Sequence, residues 1–230
     1  VATKSIQFCR IALFALVAVP TGCASTDPIA YQGIASSKQL SFNTQNKDGR
    51  IPLIYSHGTV DFRAYSAIIV EPVEIYRNRD HQFGSIAEKD KVELASYMQR
   101  SFESRLRRKY ALTKFPGPGT LRLKLELTGA KANAVVISTV AKLMPVGLAV
   151  NGLQAARGKE GTLSGSINYS VEVYDSATND LLLAYVSKQY PSALDLSASL
   201  GPLGASKVGI DKGAEALLSK LQPNIPIAAR

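Results

Sequence analysis

Residues 120–128 read TLRLKLELT. Side chains alternate across a β-strand, so Leu121, Leu123, Leu125 and Leu127 line one face. Arg122, Lys124 and Glu126 line the other, which predicts a half-buried strand with one wet face. Four leucines in a row on one side need a layer to cover them, and the neighbouring sequence supplies it. Residues 85–109 predict a helix: Leu94, Met98, Phe102 and Leu106 recur every four positions and mark one face. Lys89, Glu93, Arg100 and Arg107 lie opposite, and Ser85 with Glu88 has the spacing of a capping box. Residues 206–221 predict a second helix with Val208, Ala214, Leu217, Leu218 and Leu221 on its apolar side, ended by Pro223 and Pro226.

The rest of the sheet reads from the same signals. In 65–77, YSAIIVEPVEIYR, the run Ile68, Ile69, Val70 predicts a buried strand, and Pro72 predicts a bulge or an edge position near its end. A polar loop follows over 77–82. Ile167, Tyr169, Val171 and Val173 alternate, 175–180 (DSATND) is a polar turn, and 181–186 predicts the return strand of a hairpin. The order is strand, helix, strand, variable segment, hairpin, helix. It predicts an α+β fold, a mainly antiparallel sheet with helices packed on one face.

The chain has 230 residues, 46% hydrophobic and 20% charged, which excludes wholesale disorder and a polytopic membrane protein. Its formal charge is +9. Such a surface attracts anionic headgroups or nucleic acid. The densest cationic cluster, Arg105, Arg107, Arg108 and Lys109, sits at a helix end, where cations complement the helix dipole. No nucleic-acid partner is expected.

Residues 1–26 read VATKSIQFCRIALFALVAVPTGCAST. Lys4 and Arg10 precede the apolar run Ile11 to Val19, and small residues precede Cys23, the layout of a secretory signal. The run is shorter than the roughly 20 residues that span a bilayer. Thr21 and Gly22 before Cys23 resemble a lipobox, with Pro20 where that motif usually carries Leu, Val or Ile. The resemblance implies cleavage before Cys23 and attachment of diacylglycerol to its thiol. Two acyl chains suffice for stable anchoring at about 0.8 kcal/mol per buried methylene. The chain has two cysteines, and Cys9 lies within the signal. Ala24 takes the place where an Asp resembles an inner-membrane retention signal. The expected location is therefore the outer membrane, facing the periplasm. The expected organisation is a signal peptide over 1–22, a lipidated N-terminus and flexible tether over 23–50, one domain over 51–222 and a tail over 223–230. Tyr31, Ile34 and Leu40 in the tether are candidates to dock on the domain.

Two stretches of low charge stand out. From Ala132 to Ala156 the sole charge is Lys142, and from 192 to 206 it is Asp195. The first is too broken by Lys142, Pro145 and Gly147 for a membrane span and too apolar for a solvated loop. It is either a buried part of the fold or a contact segment for a bilayer, a hydrophobic ligand or a partner, through Val135, Val136, Ile137, Val140, Leu143, Met144, Val146 and Leu148. If the two stretches lie together, they form one contact surface.

Catalytic patterns are missing. His57 and His81 read as loop residues, GTLSG (161–165) has its serine one place late for a nucleophile elbow, and Gly117 and Gly119 lack the third glycine of a dinucleotide loop. Glu71 and Glu74 are three apart on a strand and face opposite ways. No metal, cofactor or enzymatic activity is expected. A hydrolase would need a cleft gathering His57 or His81 with a Ser and a carboxylate.

The lipobox at Cys23, Gly33-Ile34, the strand YSAIIVEPVEIY, the helix after it and the glycine-rich hairpin region together resemble a family of bacterial lipoproteins catalogued as domain of unknown function 3313. The resemblance implies lipidation and brings no activity or catalytic residue. Two functions fit: an envelope lipoprotein whose domain binds a protein partner or helps an assembly, and an accessory lipoprotein holding a lipid or hydrophobic ligand, perhaps with a transporter.

Overall fold

The structure is a computed structural model that describes residues 27–133, 165–192, 198 and 201–222. The TLRLKLELT stretch is the start of a 12-residue strand, Thr120–Lys131. In chain order the strands are β1 (Ser41–Phe42), β2 (Leu53–Ser56), β3 (Ala67–Val70), β4 (Glu74–Ile75), β5 (Ala111–Leu112), β6 (Thr120–Lys131), β7 (Ser166–Asp175) and β8 (Leu181–Gln189). Among the described residues the α-helices are α1 (Glu88–Leu106) and α2 (Gly204–Lys220). One sheet runs β1-β2-β8-β7-β6-β3-β5, with β4 also on β6. Its centre, β6-β7-β8-β2, is antiparallel, and β3, β4 and β5 join in parallel. The fold is the expected α+β arrangement.

Leu121, Leu123, Leu125 and Leu127 are fully buried, together with Tyr169, Val171 and Val173 of β7. Leu94, Met98, Phe102 and Leu106 of α1 meet them, as do Ile210, Ala214, Leu217, Leu218 and Leu221 in and just after α2. Both helices lie on this face. α2 approaches closely because it carries glycine where the sheet is nearest. A Cβ at Gly213 would stand 2.0 Å from the Tyr169 hydroxyl, and one at Gly209 would stand 2.9 Å from Ile167 Cγ2.

Four local readings are corrected. The 65–77 strand is two strands. β3 ends at Val70 opposite Leu123 and β4 resumes at Glu74 opposite Glu126, so this chain advances four residues while β6 advances three. The extra residue lies at Pro72, a bulge that suits a residue without an amide proton. The first helix starts at Glu88, not Ser85, and its cap is Ala87 without a side-chain bond. Phe83 is buried and Gly84 has φ 51°, so 83–86 closes as a turn from the Ile86 amide to the Phe83 carbonyl. Glu88 pairs with Arg77 and Lys91 instead of capping. On α2, Val208 is only half-buried, while Ala205 and Ile210 are fully buried.

The fourth correction is the larger one. The face of β6 read as wet is covered. Glu126 is 8% exposed and Glu172, on the adjacent strand, 1%. The cover is residues 27–40, part of the expected tether, whose docking candidates Tyr31, Ile34 and Leu40 do pack on the domain. Tyr31 and Ile34 are buried with Tyr76 and Val186, and Leu40 and Leu53 pack against them. Tyr31 meets Tyr76 edge-on at 5.3 Å between ring centres. Backbone turns from Tyr31 to Leu40 hold the segment compact. The protein thus has three layers: helices, sheet and an N-terminal strap. The expected signal region with Cys23, the contact-segment candidates 135–148, most of 192–200 and the 223–230 tail with Pro223 and Pro226 lie outside the described residues.

Two substitutions test this packing. Alanine is favoured over glycine in a helix by about 1 kcal/mol. Against that gain, Gly213→Ala forces its methyl into the buried Tyr169, and overpacking costs about 1–3 kcal/mol. A net loss of stability in urea denaturation is expected, with Gly117→Ala, where space is open, near neutral; a stabilised Gly213→Ala protein would contradict the contact. Tyr31→Ala should cost about 3 kcal/mol or more, as for other buried aromatics. An unchanged denaturation midpoint would mean that the strap does not hold.

Candidate functional site

The described structure brings several of the singled-out stretches to one end of the sheet, where β6 and β8 finish and β7 begins. The first low-charge stretch leaves the sheet there at Asn133, and the chain re-enters at Gly165. Asn133 is 5% exposed and makes three hydrogen bonds to two other segments. Its side-chain amide donates to the Ala198 carbonyl, its Oδ1 accepts from the Gly165 amide at 3.2 Å, and its own amide donates to the Pro202 carbonyl at 3.0 Å. Ala198 and Pro202 belong to the second low-charge stretch. Gly165 fits because a Cβ would stand 2.6 Å from the Lys131 carbonyl. Ser206 Oγ, on the first turn of α2, donates to the Ser166 carbonyl at 3.1 Å. The two low-charge stretches therefore share one root, joined by Asn133.

The N-terminal strap begins at the same end. The Asp27 carboxylate lies 3.2 Å from Lys188 Nζ, one residue before β8 ends. The Asp27 carbonyl accepts from Gln82 Nε2 at 2.8 Å. Gln82 Oε1 accepts from the Tyr31 hydroxyl at 2.9 Å and from Asn168 Nδ2 at 2.6 Å. Its backbone bonds both Thr128 and Ala130, across a bulge between Leu127 and Gly129. Gly129 is needed there, since a Cβ would come 2.7 Å from the Gln82 carbonyl. Burial pushes the Tyr31 phenol up to about 12, which keeps it a neutral donor.

Further along the covered face, Glu172 Oε1 accepts from the Ser36 amide at 2.6 Å and Oε2 from the Tyr174 hydroxyl at 2.9 Å. Burial raises the Glu126 carboxyl above its ordinary value; Lys124 opposes this, and Glu74 and Glu172 add to it. Desolvation pulls Lys124 down, but Glu126, Glu74 and Glu172 outweigh it and hold its ammonium form. Lys124 also pairs with Glu74 at 3.3 Å, and Glu71 pairs with Arg122 at 2.8 Å. Glu71 and Glu74 therefore lie on the same side of the sheet, that of Arg122 and Lys124, and not on opposite sides as their spacing predicts, because the extra residue at Pro72 restores the alternation; each has its own cation. The bond from the Ser36 amide to the buried Glu172 holds the strap on this face.

His57 and His81 are exposed. His57 Nδ1 is 3.3 Å from the Tyr55 hydroxyl, and the His81 ring leans on Phe83. Among the described residues no group of three or more His, Cys, Asp and Glu could hold a metal ion, and no helix is long and apolar enough to cross a membrane. In the basic cluster, Arg105 and Arg108 reach Glu215 at 3.5 and 2.9 Å, and Lys109 donates to the Leu221 carbonyl. It ties α1 to α2. Two open grooves flank the sheet. One of about 840 Å³ lies between the 43–51 loop and α2, and one of about 820 Å³ lies between β3–β4 and α1.

Sequence reading missed Asn133, Gln82 and Asp27, whose importance lies in contacts far along the chain. The glycines at 209 and 213, one turn apart in a predicted helix, were the available sign of a close helix–sheet approach.

No curated protein matches this chain in sequence. Among solved structures it is similar to a PelC dodecamer from Paraburkholderia phytofirmans (8% identity, 74% of this chain and 97% of that one, TM-score 0.37). It is also similar to a DUF4136 family protein from Bacteroides thetaiotaomicron (6%, 74% and 96%, TM-score 0.34) and to protein XCC0632 from Xanthomonas campestris (10%, 68% and 81%, TM-score 0.31). The family described as protein of unknown function DUF3313 matches residues 30–217, from the strap through most of α2, and the chain belongs to that family.

Proposed function

We propose that the chain is an envelope lipoprotein, anchored through lipid on Cys23 in the outer membrane and facing the periplasm, whose domain is non-catalytic and binds a protein partner or helps an assembly. The observation that carries this reading is the placement of Cys23. It follows a signal-like segment and stands four residues before Asp27, where the strap is tied to Lys188 and Gln82. A thiol so close to a fixed point of the fold is well placed to anchor a domain and poorly placed to serve a site inside it. The non-catalytic reading draws support from the covered carboxylates. Both oxygens of Glu172 are bonded within the protein, and Glu71 and Glu74 are each paired with a cation. The partner contact falls to the two low-charge stretches, which share the Asn133 root.

Expressed with its leader, the protein should sediment with membranes and show the mass of a diacylated chain beginning at Cys23. Cys23→Ser should leave the membrane fraction or retain residues 1–22. Equal mass and equal fractionation of the two proteins would overturn the anchor. Val136→Glu with Val140→Glu should abolish cross-linked partner products without changing the denaturation midpoint; unchanged products would remove the partner contact from this stretch.

A further inference from the structure

We propose that the sheet end formed by Lys131, Ser166 and Gln189 faces the lipid surface, and that the β7–β8 turn at 176–180 points away from it. This rests on the lipid anchor at Cys23 and adds to it the orientation of the domain and the surface that meets the bilayer. The first argument is reach. Asp27 is four residues after Cys23, and a fully extended chain covers at most about 14 Å over that length. Asp27 is fixed at both ends of its residue, by its carboxylate on Lys188 and its carbonyl on Gln82. Lys188 is seven residues along β8 from Leu181, a separation of about 23 Å at the rise of a strand. The lipid can therefore lie beside the Lys188 end of the sheet, and the turn beyond Leu181 is out of its reach.

The second argument is charge. The turn end carries Asp175 and Asp180, and the second is exposed. Anionic headgroups repel carboxylates and attract cations. At the other end the chain leaves and returns through Asn133, Gly165, Ala198 and Pro202; residues 134–164 between them carry Lys142, Arg157 and Lys159 against Glu160, and 193–200 carries Asp195. Lys131 and Lys188 lie at this end, and Arg50 donates there to Gln189 and to the Tyr190 carbonyl. The anchored end thus carries the cations Lys131, Lys188 and Arg50, and the turn with Asp175 and Asp180 is opposite. An end with this composition fits a phospholipid surface better than the acidic turn does.

The mature chain has no cysteine other than the lipidated one, so a single new thiol can carry a reporter. Ser192→Cys marks the proposed bilayer side, three residues past β8, and Ala177→Cys marks the turn; both positions are exposed. Each lipidated protein is labelled with an environment-insensitive fluorophore and inserted in vesicles of phosphatidylethanolamine and phosphatidylglycerol that carry a headgroup quencher. Co-flotation with the vesicles reads the anchor separately. Quenching at position 192 should exceed that at 177 by about threefold or more, given the ~23 Å between the two ends. Equal quenching, or stronger quenching at 177, with both proteins floating, would overturn the orientation and leave the anchor standing. Proteins that do not float would overturn the anchor and the orientation with it.

Discussion

Glu172 stands near the middle of the sheet with 1% of its surface exposed, flanked by Lys124 on β6 and Ala184 on β8. A carboxyl group there is tolerable only if its oxygens are bonded, because an unsatisfied buried polar group costs about 1–3 kcal/mol and a charged one more. Tyr174 satisfies one oxygen and the Ser36 amide the other. The second partner comes from 136 residues away in the chain. That bond, with Asp27 on Lys188 and Tyr31 on Gln82, fixes the N-terminal strap to the sheet. The position of the strap in turn sets where the chain emerges, and with it where any anchor on Cys23 must lie.

Much of the fold is legible from apolar periodicity, because the layer that covers the leucines is built from helices with their own readable faces. The alternation of Leu121 to Leu127 and of Ile167 to Val173, and the spacing of Leu94 to Leu106, each report burial on a single side. The opposite face is illegible for a physical reason. Arg122, Lys124 and Glu126 have the same identities whether water or paired charges meet them. The strap that covers them presents little more than Tyr31 and Ile34 as apolar anchors, within a sequence otherwise typical of a linker. Its contacts are polar and distant in sequence, which no local period records. The helix start failed for a similar reason, since burial of Phe83 and the turn at Gly84 outweigh the capping box at Ser85.

Of the candidate site, the sequence marks the two low-charge stretches but not that they meet. Their meeting depends on Asn133, one amide side chain that bonds Ala198 and Gly165 together. Its role could not be read from composition, since a polar residue beside an apolar run looks like the start of a loop. The structure turns two separate features into one sheet end, shared with the start of the strap. Strap and low-charge roots then belong to one side of the molecule, the side proposed for the lipid, and the acidic β7–β8 turn belongs to the other.

The strap is the element on which this account depends, and amide hydrogen exchange of the whole chain reads it residue by residue. Slow exchange at Ile34 and Ser36, lost together with that of β7 and β8 as denaturant is added, is the result expected of a strap that is part of the cooperative fold. Exchange at Ile34 and Ser36 at the rate of an open chain, while Val171 and Tyr185 stay protected, would contradict it.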